Sequence, residues 1–196
     1  MLVIDKPSGL LSVPGKAETH KDSVELRLKT RDPDVRLVHR LDVGTSGIMV
    51  FAKTPYAQRH LGLQFEKRQT EKEYVARAYG RVTGHSGYIN LPIATDWPNR
   101  PRQMVDFERG RSAQTHWQVD SGNGDETRLR LHPITGRSHQ LRVHLNAIGY
   151  PILGDRIYAH EDAFSAADRL QLHAERLRLR HPLGGDWVEF TSPAPF

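Results

Sequence analysis

The sequence predicts an α+β fold with a mixed, mostly antiparallel sheet and flanking helices. Short apolar or alternating segments recur along the chain in meander order, as strands do. Only a few segments carry helical spacing, and they interrupt the run of strands instead of alternating with them one for one. Gly122-Asn123-Gly124-Asp125 is a tight connection of the kind that joins neighbouring antiparallel strands.

The elements follow in order. Leu2 to Ile4 is an apolar strand start, and Lys6-Pro7-Ser8-Gly9 is a turn. Ser23 to Thr30 reads as a short helix with Ser23 as its N-cap. Ile48-Met49-Val50-Phe51-Ala52 reads as a buried strand. Pro55 to Gln69 reads as a helix: Pro55 suits the first turn, and Leu61, Phe65 and the stem of Arg68 share a face. Glu73–Tyr79, Gly87–Ile93, Gln103–Phe107, Ala113–Val119 and Thr127–Leu131 read as strands. Ser138 to Ile148 is a helix carried by Leu141, Leu145 and Ile148, and Gly149-Tyr150-Pro151 ends it. Leu170 to Leu179 alternates, and Asp186 to Thr191 makes the final strand.

The 196 residues suit one domain spanning 1–196 and can bury a substantial core. Hydrophobic content of 37% and a mean hydropathy of -0.60 describe a large polar surface. No apolar run approaches the roughly 18 residues of a membrane span. Asp5, Lys6 and Pro7 interrupt the apolar start that a signal peptide needs, and the expected location is the cytoplasm. The absence of cysteine excludes disulfides, thiolate metal sites and cysteine nucleophiles. A net charge of +5, from 28 basic and 23 acidic residues, favours a polyanionic partner.

The basic residues are unevenly placed. Asp96-Trp97-Pro98-Asn99-Arg100-Pro101-Arg102-Gln103 is proline-stiffened, basic and aromatic. Such a loop can contact phosphates and an unstacked base, or it can be an ordinary hairpin loop with solvated arginines.

The richest stretch for chemistry is His39-Arg40-Leu41-Asp42, followed at once by Val43-Gly44-Thr45-Ser46-Gly47. Backbone N–H groups, hydroxyls and a nearby cation can hold Asp42 ionised at the mouth of the buried strand, where a nucleophile or general base is useful. An Arg–Asp surface pair on a turn fits the same spacing. His39, His139, His144 and His173 raise the question of a metal. His139 and His144 are five apart, not the four that places two histidines on one helix face, so no metal site is expected. Leu172-His173-Ala174 reads as core or strand packing.

His-Arg-Leu-Asp followed by Thr-Ser-Gly resembles the nucleophile motif of the RluA-type RNA pseudouridine synthases. Ile4-Asp5-Lys6-Pro7-Ser8-Gly9-Leu10 is similar to that family's opening segment, and Lys72-Glu73-Tyr74-Val75-Ala76 to the segment that supplies its active-site tyrosine. Thr135-Gly136-Arg137-Ser138-His139-Gln140-Leu141-Arg142-Val143-His144 resembles the third motif. Pro151-Ile152-Leu153-Gly154-Asp155 and Leu172-His173-Ala174 follow in family order.

The resemblance covers nearly the whole chain. It implies the family's α+β fold with a cleft across the sheet centre, no cofactor, and structured RNA as substrate: a stem-loop of large-subunit rRNA, tRNA or both. It implies Asp42 as the catalytic residue, Arg40 in the space left by the extruded base, and His39 beside it as a further RNA contact. It implies Tyr74 against that base and Arg142 as counter-ion to Asp42. Arg137 competes for that last role and is read as an RNA or loop contact, with Arg100 and Arg102 as further RNA contacts. Bottom-up, Tyr74 also fits a half-buried strand tyrosine, and either motif arginine a solvated helix residue. No S4-type RNA-binding domain is expected, and Met1-Leu2-Val3-Ile4 reads as the second half of an opening unit. Two other readings stay open: a non-catalytic RNA-binding protein on the same fold, and a hydrolase using a carboxylate pair.

Overall fold

The computed structural model describes residues 1–196, apart from the side chain of Glu18. The chain forms two compact units, Met1–Lys72 with Ala174–Pro195, and Glu73–His173 with Phe196. Strands dominate and nearly all pair antiparallel, with a few helices between them, as the sequence predicts.

The first unit is built on β1 (Leu2–Lys6), β2 (Arg36–Leu37), β3 (Ser46–Ala52), β10 (Leu172–Arg180) from Ala174 onward, and β11 (Trp187–Thr191). β3 is its spine, with β1 and β2 paired antiparallel to it and every residue buried. A run buried on both faces has no polar positions to alternate, which is why this strand reads as uninterrupted apolar sequence. β11 pairs with β10, placing Arg180 opposite Trp187 and Arg176 opposite Thr191. The helices are α1 (Val24–Lys29), capped by Ser23 as expected, and α2 (Pro55–Glu66). Ile48, Val50, Ala52, Ala57, Leu61, Leu177 and Leu179 form the core.

α2 ends three residues before the predicted Gln69. Arg68 takes a left-handed φ of 58°, and the Gln69 N–H turns back to the Gln64 carbonyl, closing the helix. Arg68 is therefore off the helix and exposed. The buried positions of α2 are Ala57, Leu61 and Gln64. The Gln64 amide donates to the Arg180 carbonyl and accepts from its N–H, which ties the helix to β10.

The second unit is built on β4 (Glu71–Tyr79), β5 (Ser86–Asn90), β8 (Gln114–Asn123) and β9 (Glu126–Pro133), in the spatial order β4, β9, β8, β5. The Gly122–Asp125 connection joins β8 to β9 as predicted. β6 (Ile93–Thr95) and β7 (Gln103–Val105) form a separate hairpin. The single strand predicted over Gly87–Ile93 is thus two: Pro92 has no N–H to give a ladder, and the chain leaves the sheet there. α3 (Gln140–Ala147) and α4 (Glu161–Ser165) complete the unit. Ala76, Ala78, Leu129, Leu131, Leu141, Leu145 and Ile152 are the centre of its core.

α3 begins at Gln140, two residues after the predicted Ser138. His139 sits at a left-handed φ of 54° and supplies no side-chain cap. Gln140 closes the turn itself, its Oε1 accepting from the Arg137 N–H and the Thr135 hydroxyl.

Candidate active site

In the first unit, the segment from Lys6 to Ser12 grips the backbone on either side of Asp42. The Ser12 hydroxyl donates to the Leu41 carbonyl (2.7 Å) and accepts from the Leu41 N–H (3.1 Å). The Val43 carbonyl accepts from the Lys6 ammonium (3.1 Å) and the Gly9 N–H (2.8 Å). The Gly44 carbonyl accepts from the Ser8 hydroxyl (2.7 Å), and the Asp42 carbonyl from the Thr45 N–H (3.1 Å). All four carbonyls from Leu41 to Gly44 are thus bound. The Asp42 side chain stands half-buried on a backbone with little freedom.

Lys6 completes this clamp from inside. It is wholly buried, and its ammonium also donates to the carbonyls of Pro7 (2.9 Å) and Leu10 (2.7 Å). Burial pushes it down to about 8, against the pull of the negative Asp42. The sequence places Lys6 in a turn; nothing in its spacing shows that the ammonium points inward. Ser12 carries no sequence signal at all.

The start of β3 is fixed by Gly47. Its φ is 111°, and a Cβ there would lie 2.3 Å from the Ala174 carbonyl oxygen. Only glycine allows that approach.

His39 is not where the resemblance implies. Its Nε2 accepts from the Val50 N–H (3.0 Å), and its ring stacks on Phe65 at 4.4 Å. Burial, with the positive Lys72 nearby, pushes the imidazole down to about 3, so it is neutral. The ring is engaged with β3 and α2 rather than offered to RNA. Arg40, the next residue, is exposed.

In the second unit, Tyr74 lies on β4 opposite Leu131 and packs, half-buried, on the core that also holds Leu141 and Leu145 of α3. Arg142 is buried, its Nε and Nη2 donating to the Asp155 carboxylate at 2.8 and 2.7 Å. Asp155 Oδ1 also accepts the N–H groups of Ile157 (2.9 Å) and Tyr158 (3.3 Å). The alternative of a solvated helix arginine is therefore excluded for Arg142. Arg137 is less enclosed, with Nε donating to the Ser112 carbonyl at 3.1 Å.

The basic loop is the tip of the β6–β7 hairpin, and its two arginines differ. Arg100 is exposed over the Trp97 ring at 4.7 Å, and Trp97 is itself 67% exposed. Arg102 turns inward. Its Nη1 donates to the Ile157 carbonyl (2.7 Å), and its guanidinium lies over the Tyr158 ring at 5.2 Å. The two arginines, expected alike as RNA contacts, are placed differently: Arg102 has Nη1 bound to Ile157 and its guanidinium on Tyr158.

His144 is buried between Thr115 and the Leu91 carbonyl, and burial holds its imidazole below the usual range. His173 is buried in β10. Among the described residues, no group of three or more His, Asp or Glu side chains is arranged to hold a metal ion.

Residues 1–147 match the family described as RNA pseudouridylate synthase. The dual-specificity RNA pseudouridine synthase RluA of Salmonella typhimurium is 52% identical, covering 100% of this chain and 90% of that protein. The protein of the same name from Yersinia pestis is 52% identical over 100% of this chain and 96% of its own length. Among solved structures, human RNA pseudouridylate synthase domain containing 1 matches with a TM-score of 0.84 and 27% identity, covering 100% of this chain and 80% of its own.

Proposed function

The chain belongs to the RNA pseudouridylate synthase family and is an RNA pseudouridine synthase, and on that premise we propose that Asp42 carries its chemistry on a uridine flipped out of structured RNA. The observation that supports this most directly is the clamp: every carbonyl from Leu41 to Gly44 is bound, while the carboxylate between them remains partly open. Holding a reactive group still lowers a barrier more than adding contacts does.

A stacked uridine hides its glycosidic bond and its C5, so the base must leave the stack, at a cost of a few kcal/mol. Arg40, exposed two residues from Asp42, fills the gap. The bond from N1 to the anomeric carbon breaks, the base turns, and a bond from C5 forms; the C5 proton is lost and N1 gains one. Atoms and electrons balance without a redox partner, so the reading needs no cofactor. Asp42 assists the loss of the base by attack on the sugar or by taking a sugar proton. Tyr74 offers a ring to the base and a hydroxyl near the departing proton. Arg142, oriented by Asp155, serves as counter-ion to the carboxylate, and Arg137 and Arg100 contact RNA.

The substrate in this reading is a stem-loop present in rRNA and tRNA, by similarity to relatives named for dual specificity. Such substrates place the enzyme in the cytoplasm. Residues 1–196 act as one catalytic domain.

Asp42→Asn tests the centre of this reading. It keeps shape and removes charge, so pseudouridine formation is expected to vanish while RNA still binds. Appreciable turnover by a pure Asp42→Asn preparation overturns the assignment.

A further inference from the structure

Tyr158 has no part in the motifs above, yet it touches both the RNA-facing hairpin and the motif arginine of the second unit. Its ring is nearly buried, at 7% exposure, among Ile93, Ala113 and Val143. Two guanidinium groups lie over that ring: Arg102 of the hairpin at 5.2 Å and Arg142 of α3 at 5.1 Å. The electron-rich ring attracts each of these cations and gives the hairpin arginine and the α3 arginine a common anchor. The hydroxyl accepts from the Gln103 N–H at the start of β7 (2.8 Å) and shares a 2.7 Å hydrogen bond with Nδ1 of His139, the residue that opens α3. The Tyr158 N–H in turn rests on Asp155, which holds Arg142 by two bonds.

A core tyrosine needs only a cavity and one partner for its hydroxyl. This one has four polar links, two to the hairpin and two to the ends of the Arg142 helix turn. We propose that Tyr158 is a positioning residue that couples the β6–β7 hairpin to Arg142, so that the hairpin's grip on RNA and the placement of the arginine are set by one side chain. The two halves of the tyrosine have separable duties. The ring fixes the Arg142 guanidinium and therefore the chemical step. The hydroxyl docks the hairpin and therefore RNA affinity. This rests on the roles given above to Arg142 and the hairpin.

The experiment compares Tyr158→Phe, Tyr158→Leu and Arg142→Ala by single-turnover rate at saturating RNA, by RNA affinity and by thermal midpoint. Tyr158→Leu removes the ring from beneath both cations and is expected to slow the saturating rate by about tenfold or more, the scale on which small misplacements act. Tyr158→Phe restores the ring without the hydroxyl. It is expected to recover most of that rate and to bind RNA more weakly than wild type. If Tyr158→Leu does not fold, Tyr158→Phe decides alone: weaker RNA binding with a near-normal saturating rate supports the coupling, and unchanged binding overturns it. Variants that lose only thermal stability, with rate and affinity intact, also overturn it. Arg142→Ala separates the two layers. A wild-type rate there removes Arg142 from the catalytic reading. A dead Arg142→Ala beside a fully active Tyr158→Leu leaves that reading standing and defeats the coupling alone.

Discussion

Lys6 and His39 show how far burial changes what a residue does. A lysine before a proline reads as part of a turn, but Lys6 is the last residue of β1 and the turn follows at Ser8 and Gly9. Its buried ammonium makes it the inner pillar of the Asp42 loop, donating to three carbonyls. His39 reads as a site residue from its neighbours in sequence, and it serves instead as an acceptor for β3. Neither outcome was legible, because side-chain direction at a turn follows from long-range packing that spacing does not encode. The His39 environment has a measurable consequence. Its folded pKa of about 3 lies below the unfolded value near 6.5. Between these values the unfolded chain holds the extra proton, so stability rises with pH there and falls on acidification below about 6.5. His39→Gln keeps an acceptor for Val50 and cannot titrate in this window. Urea unfolding from pH 5 to 6.5 is expected to show a slope smaller in His39→Gln than in wild type by up to about 1.4 kcal/mol per pH unit, the value for one proton. Equal slopes would mean that His39 is protonated in the folded protein.

At the scale of elements, the periodic segments were legible and their ends were not. β3 follows from its apolar run, which burial enforces, whereas in α2 the spacing finds Leu61 and misses the buried Ala57 and Gln64. The ends of α2 and α3 depend on left-handed residues, Arg68 and His139, which carry no glycine to announce them. β2 and α4 are too short to show a period. Gly47 is the opposite case, a glycine whose reason is fully visible. Gly47→Ala would put a Cβ against the backbone of Ala174, with approaches of 2.3 Å to its oxygen and 2.6 Å to its nitrogen. Backbone cannot yield as a flexible side chain can. Left-handed strain of about 1–3 kcal/mol adds to that clash. Gly47→Ala is expected to lose at least about 3 kcal/mol by denaturant unfolding, at the severe end of single substitutions. A loss below about 1 kcal/mol would show that β3 and β10 separate easily at this point.

For the whole molecule, the surplus of five positive charges is a poor guide until each arginine is placed. Composition treats Arg100 and Arg102 alike, and the fold does not. Arg100 is exposed on Trp97, with its charge available to a phosphate. Arg102 is spent on Ile157 and Tyr158. Each phosphate neutralised on RNA releases condensed counter-ions, and the salt slope counts such contacts at about 0.7 to 0.9 each. Arg100→Ala is therefore expected to weaken RNA binding at low salt and to flatten log affinity against log salt by roughly one contact. The saturating rate should barely move, because Arg100 lies outside the motifs. Arg102→Ala is expected to leave the salt slope close to wild type and to lower the thermal midpoint instead, because the loss falls on the hairpin's attachment to the Ile157–Tyr158 turn. Binding isotherms over a salt series for both variants settle the difference. If Arg102→Ala flattens the slope as much as Arg100→Ala, its guanidinium swings out to the RNA, and the inward geometry belongs to the unbound enzyme alone.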